Sequence, residues 1–411
     1  MQDEILPHLN DPRQLEKIYR KNRIDFKKAF IQIYPAHRGQ PLADFWNERL
    51  TYESDDINWG STRDFVLIII LSLLAGAIAK LPAILPITEE YFYSRNIGFV
   101  VFPMLTGYFA LKNKLDFNKI LFLLLTYLAA VLYINLLPNN DSDTLVLACL
   151  HMILFLWAIL GFSYVGDKKN LVDRRLGFLK YNGDLVVMSA VILLAGGLMT
   201  AVTIGLFSLI GFEIEKFYFE YIVIFCLPAV PIFATYITQT NPNLVGKISP
   251  VIAKIFSPIV LAMLIIYVSA MIYSGKDPYT DREFLIIFNA LLVGVMAIIF
   301  FSLSEKSGSS KIQIRIILML SIVTIVVNGI ALSAILFRIS EWGITPNRAA
   351  VLGSNILILV NLLLVTIQLI KVVTKKAEIY QIGKWLAFYL PVYLVWAFIV
   401  TFIFPLIFNF Q

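Results

Sequence analysis

Cysteine is nearly missing from this chain of 411 residues: only Cys149 and Cys226 occur. Both fall inside long apolar runs, so neither a disulfide framework nor a cysteine metal site is expected. The three histidines, His8, His37 and His151, lie far apart in sequence. Charge is also sparse. Charged residues make up 15% of the chain and hydrophobic ones 59%, whereas a soluble domain carries roughly 25% and about 45–50%. No P-loop, paired-histidine zinc motif, Gly-x-Ser-x-Gly elbow or dinucleotide fingerprint is present. These absences argue against the familiar soluble enzymes, and no cofactor or metal is expected. No apolar run precedes Phe65, so no cleavable signal peptide is read.

What fills the chain instead is apolar sequence, with a mean hydropathy of +0.78. Apolar stretches of about 20 residues recur from Phe65 to Phe410, each long enough to cross a hydrocarbon core about 30 Å thick. The expected fold is an all-α integral membrane protein with about eleven transmembrane helices. Their approximate spans are 64–86, 96–111, 120–137, 144–165, 185–211, 218–238, 250–273, 283–303, 312–337, 346–370 and 386–409. The net charge of +6 is better explained by basic inner loops than by a nucleic-acid partner, and none is expected.

Charge also orients the chain. With the N-terminus inside and the charges up to Arg38 discounted as too far from the membrane, nineteen Lys and Arg lie on inner segments. Six lie on outer loops: Arg95, Lys216, Lys276, Arg282, Arg338 and Arg348, while Lys80 lies within a span. The expectation is therefore a membrane protein with its N-terminus cytoplasmic and its C-terminus outside. No internal repeat of the kind that builds two-fold transporters is visible.

Residues 1–63 read as a small helical cytoplasmic segment, and 64–411 as the polytopic domain. Asp11-Pro12-Arg13-Gln14 is a helix start, with Asp11 as cap and Pro12 in the first turn. Leu15, Ile18, Tyr19, Ala29, Phe30 and Ile33 recur at helical spacing. A second helix, 42–52, is expected to bury Leu42, Phe45, Trp46 and Leu50. Ser61 to Asp64 starts the first span. The basic stretch 12–38 suits either anionic lipid or the acidic stretch that follows it, the latter closing a small domain. A cytosolic protein partner at residues 1–63 is a further reading.

Three loop stretches stand out: Lys276-Asp277-Pro278-Tyr279-Thr280-Asp281-Arg282-Glu283-Phe284, Glu341-Trp342-Gly343-Ile344-Thr345-Pro346-Asn347-Arg348, and Ile248-Ser249-Pro250 through Phe256-Ser257-Pro258. Together with Leu15-Glu16-x-x-Tyr19 and Phe45-Trp46-Asn47-Glu48-Arg49-Leu50, the chain resembles, over nearly its whole length, bacterial membrane proteins grouped as domain of unknown function 4153. The resemblance implies architecture and carries no activity.

Under the expected topology two of these loops face outward, near intramembrane asparagines. Asp277, Tyr279, Asp281, Arg282, Asn289, Asn328, Glu341, Arg348 and Asn355 thus form a candidate outer pocket. An asparagine facing lipid is costly, so these side chains should point into the bundle or a wet cavity. The competing reading is structural. Thr280 to Glu283 is a capping box, Thr345-Pro346 and Ser249-Pro250 are helix starts, and asparagines join membrane helices. Lys80 reads as a snorkelling residue or a coupling lysine, and His151 as a residue bonded to a neighbouring helix or a proton relay. Pro103, Pro228, Pro231, Pro258 and Pro391 can kink their spans. Gly197, Ala201 and Gly205 form a small-residue stripe for a close helix contact, within the chain or in a homo-oligomer. The functional expectation is binding or transport of a small molecule, ion or lipid from an outward pocket. The alternative is a membrane sensor or assembly subunit acting through its N-terminal segment, and the third reading is an intramembrane enzyme.

Overall fold

The computed structural model describes residues 2–21, 23–52, 61–140, 142–166, 171–209, 213–242, 257–266, 268–269, 273, 279, 282–304, 311–377 and 379–410. Among these residues every regular element is helical. The chain divides into two compact units, Met1–Trp59 and Gly60–Gln411.

In the first unit a short α1 (Gln2–Ile5) precedes α2 (Pro12–Lys21), α3 (Arg23–Ile33) and α4 (Pro41–Tyr52). α2 begins where the sequence places it, because Asp11 Oδ1 accepts from the amides of Arg13 at 3.0 Å and Gln14 at 3.1 Å. Leu15 and Tyr19 on α2, Phe26 and Phe30 on α3, and Trp46 and Leu50 on α4 meet in one core. The Trp46 ring packs 5.1 Å from Phe26 and 5.4 Å from Tyr19. Arg49 ties α4 to α2, donating to Glu16 at 2.7 Å while its guanidinium lies 4.6 Å from the Trp46 ring. Phe45, expected in this core, is instead 58% exposed. It is next to Trp46 in sequence and therefore about 100° around the helix from it.

The second unit contains α5 (Thr62–Ala79), α6 (Glu89–Lys112), α7 (Phe117–Leu136), α8 (Asp143–Val165), α9 (Leu171–Leu209), α10 (Ile224–Thr240), α11 (Arg282–Ser304), α12 (Lys311–Trp342), α13 (Pro346–Val373) and α14 (Ile379–Phe398). Among the described residues eight helices are long and apolar enough to cross a membrane. They correspond to all the expected spans except the second, seventh and eighth. α6 covers the second expected span and α11 the eighth. Of the seventh, the longest described stretch is the apolar helix Ser257–Ile266.

Side-chain caps set several helix starts. Ser61 accepts from the Asp64 amide at 3.1 Å, Ser142 from Leu145 at 3.2 Å and Thr345 from Arg348 at 3.3 Å. α5 and α10 run antiparallel: Lys80 Nζ donates to the Glu220 carbonyl at 2.7 Å at one end, and the Phe65 and Tyr236 rings lie 6.2 Å apart at the other. Lys80 thus closes α5 and sits 4.4 Å from the Tyr221 ring. At the C-terminal ends of α6 and α8, Asn113 Nδ2 donates to the carbonyls of Ser163 at 2.9 Å and Tyr164 at 3.0 Å. These acceptors lie in the last turn of α8, where the helix leaves carbonyls without internal donors.

Proline places further demands on the bundle. Pro405 has no N–H to offer the carbonyl of Thr401, four residues earlier. The chain widens there into a π turn, Ile399–Ile403, and the Tyr133 hydroxyl donates to the carbonyls of Thr401 and Phe402, each at 3.3 Å. Glycine lets two helix pairs approach: a Cβ at Gly353 would lie 2.1 Å from the Trp396 ring, and one at Gly76 would lie 2.2 Å from Phe225.

Several expectations are corrected. α9 starts at Leu171, well before the expected span at 185, because Asp173, Arg174, Arg175, Lys180 and Asp184 lower hydropathy without breaking the helix. α6 starts at Glu89 rather than 96, which brings Arg95 inside a helix, only 3% exposed. Arg95 caps α7, donating to the carbonyls of Ile134 at 2.6 Å and Leu137 at 3.1 Å, where the helix dipole is negative. His151 bonds the Leu147 carbonyl of its own helix at 2.9 Å, not a neighbouring helix. Gly197 and Gly205 have open space where a Cβ would stand, and Ala201 is exposed, so within the chain the stripe makes no close contact among the described residues.

Candidate functional site

The loop joining α12 to α13 is built by local rules. α12 extends to Trp342, and Gly343 takes a left-handed φ of +75° while its amide bonds the Ile339 carbonyl at 2.9 Å. Thr345 and Pro346 then restart the chain as α13. Arg348, in the first turn of α13, donates through Nη1 to the carbonyls of Trp342 at 2.8 Å and Gly343 at 2.7 Å. A cation is favourable at that C-terminal end of α12.

Two guanidinium groups lie near the Trp342 ring. Arg348 lies 5.6 Å and Arg338 5.7 Å from its ring centroid. Arg338 also donates through Nε to the Tyr279 carbonyl at 2.8 Å, and the Tyr279 hydroxyl pairs with Ser333 at 3.3 Å. Arg338 was not among the sequence-derived pocket residues; its spacing of four from Trp342 on one helix is the signal that points to it. Glu341 is exposed.

Deeper in the seam between α12 and α13, the Asn328 side chain meets the backbone of Asn355. Asn328 Nδ2 donates to the Asn355 backbone carbonyl at 3.3 Å. Asn328 is 0% and Asn355 1% exposed, yet Asn328 Oδ1 and Asn355 Nδ2 have no hydrogen-bond partner among the described residues. Leaving such a group unpaired costs about 1–3 kcal/mol. The same seam carries hydroxyls. Thr366 donates to Ser321 Oγ at 3.0 Å, and Thr324 bonds the Leu320 carbonyl at 2.6 Å. On its other flank α13 meets α14 through Asn361 to the Tyr393 hydroxyl at 3.0 Å, Tyr389 to the Leu357 carbonyl at 3.0 Å, and Trp396 to Ser354 at 3.0 Å. Neutral polar pairs thus line α13 on two sides.

The structure therefore brings together Asn328 with Asn355, Arg348 with the Trp342–Gly343 turn, and Tyr279 with Arg338. Asn289 lies half-buried on α11. Asp277 and Asp281 lie outside the described residues, as does the Arg282 side chain, although its backbone opens α11. The Thr280–Glu283 capping box and the Ser249-Pro250 start fall there as well. Among the described residues no cluster of His, Cys, Asp and Glu able to hold a metal ion occurs. The chain matches no family model, no curated protein and no solved structure.

Proposed function

We propose that this chain is an eleven-span protein of a bacterial inner membrane, N-terminus cytoplasmic and C-terminus outside, that binds or moves a small molecule at the outer end of α11–α13. The orientation rests on nineteen basic residues against six across the two sets of loops. The resemblance to domain of unknown function 4153 agrees with this architecture. The observation that carries the functional reading is the Asn328–Asn355 level: a donor and an acceptor, fully buried and unpaired, beneath a rim of Arg348, Trp342 and Tyr279. Buried polar groups in a membrane bundle are expensive, and a guest that pairs with them offsets that cost.

The test is a thermal-shift screen of polar solutes on the full-length protein in detergent, followed by titration against Asn328→Ala, Asn355→Ala and Asn289→Ala. A compound that raises the melting temperature of the unaltered protein and loses its effect in the asparagine variants supports the site. Equal stabilisation of all four proteins rejects it.

A second reading is favoured by the first unit, Met1–Trp59, which has a core of its own. In it the protein is a sensor or assembly subunit that docks a cytosolic partner through this unit. It expects deletion of residues 1–59 to abolish function while the asparagine variants stay active; retained function after the deletion rejects it.

A further inference from the structure

Among the described residues the bundle contains one part-buried and one buried asparagine pair, and they differ. Asn96 on α6 and Asn135 on α7 close a reciprocal amide pair, Nδ2 to Oδ1 in both directions, at 2.9 and 2.8 Å. That is how asparagines act when their task is to join helices. Asn328 and Asn355 are more deeply buried, yet they make one bond, at 3.3 Å and to a backbone carbonyl, and leave Oδ1 of one and Nδ2 of the other open.

The polar groups do not stop at that level. Thr324 lies one turn further along α12 and Ser321 two turns, with Thr366 bonded to Ser321 from across the seam. Gln313, in the first turn of α12, is also buried. From Asn328 to Gln313 is about 22 Å along the helix, most of a hydrocarbon core about 30 Å thick. Every group in this row is an amide or a hydroxyl. The buried charged side chains among the described residues are Arg95, Asp184 and Arg338. Arg95 and Asp184 lie on other helices, and Arg338 is at the Tyr279 end of α12.

We propose that Asn328 and Asn355 form the mouth of an uncharged lane between α12 and α13, reaching inward through Thr324 and the Ser321–Thr366 pair, that takes a neutral hydrogen-bonding solute such as water, an alcohol or a primary amide. The proposal rests on the outer-site reading above and narrows its ligand class. An open acceptor and an open donor on neighbouring helices suit a guest that carries both functions. A bare cation meets the Asn355 Nδ2 hydrogens, and an anion meets Asn328 Oδ1, and among the described residues no buried charge of either sign lies along the lane to offset them. The packing around it is apolar and dry: Val327, Ile317, Leu320, Leu362 and Val365 all belong to one buried core.

The experiment reads hydration directly and needs no identified ligand. Single cysteines are placed at Asn328, Asn355, Ser321 and Thr366, and at Val327 and Leu362 as apolar controls, in a Cys149→Ser/Cys226→Ser background. N-ethylmaleimide is then applied to membrane vesicles holding the full chain. The reagent needs a thiolate, which forms only where the sulfur is wetted. All four polar positions are expected to react at least about tenfold faster than the two controls. Reaction at the asparagine positions alone overturns the lane while leaving the outer site standing. Control-like rates at all four positions overturn both. If the serine background does not fold, the same comparison is made with Cys149 and Cys226 retained and the labelled peptides resolved by mass spectrometry.

Discussion

Arg175 Nη1 donates to the Ala387 carbonyl at 3.2 Å, across the contact between α9 and α14. Ala387 lies four residues before Pro391, whose ring nitrogen has no hydrogen to give it. A residue that hydropathy places in an inner loop therefore supplies a donor that the proline withholds. Arg175→Met is expected to destabilise the bundle by about 1.5–3 kcal/mol, the range for a hydrogen bond from a charged group. In a Pro391→Ala background, where residue 391 regains its amide, the same substitution should cost at least about 1 kcal/mol less. Reversible unfolding in mixed micelles, run as a double-mutant cycle, checks this; zero coupling rejects the relationship.

Gly353 and Trp396 form a second coupled pair. With a Cβ at residue 353 lying 2.1 Å from the indole, Gly353→Ala should cost about 1–3 kcal/mol through overpacking. Trp396→Ala opens the space, so the added methyl should then be close to neutral. Melting temperatures of the four proteins decide it, and an undiminished penalty in the Trp396→Ala background counts against the packing.

The first unit should be acid-sensitive at Glu16. The hydrogen bond from Arg20, at 2.8 Å, and the one from Arg49, at 2.7 Å, together with both charges, hold its pKa below the ordinary 4.5, against a smaller opposing effect of partial burial. A folded pKa below the unfolded one means that the stabilisation is complete above the unfolded value and lost as pH falls through the folded one. The pair is part-exposed, so Glu16→Gln should cost only about 0.5 kcal/mol at neutral pH. Amide hydrogen exchange along α2 of the full chain, corrected for intrinsic rates, should then run about twofold faster at pH 7 and be unchanged in strong acid. A difference that persists in acid rules out the ion pair as its source.

Local features were legible in the sequence because they depend on neighbours. Asp11, Ser61 and Thr345 cap the helices they precede, each through amides two or three residues on. Much of the core of the first unit followed from helical spacing, but Phe45 is exposed, and Ile5, Leu9, Phe26 and Ala43, which the spacing did not single out, are buried in it. The candidate site was legible as a set of residue types above a seam. Asn328 and Asn355 were both singled out, but nothing in their positions showed that the Asn328 side chain meets the Asn355 backbone across 27 residues of chain. Arg338 was counted as an outer charge but left out of the pocket, because its partner Tyr279 lies 59 residues away.

The sequence by itself determined that this chain is helical and apolar enough for a membrane, since hydropathy and helix length are sums over adjacent residues. Only the tertiary structure decided what each polar group inside those helices does. Arg95 caps α7, Arg175 answers Pro391, Asn96 and Asn135 close on each other, and Asn328 and Asn355 remain open. The reason is geometric. A hydrogen bond is made or lost over a few tenths of an ångström and a limited range of angles. Whether a partner from another helix arrives within that window depends on how the helices pack, not on the order of residues along any one of them.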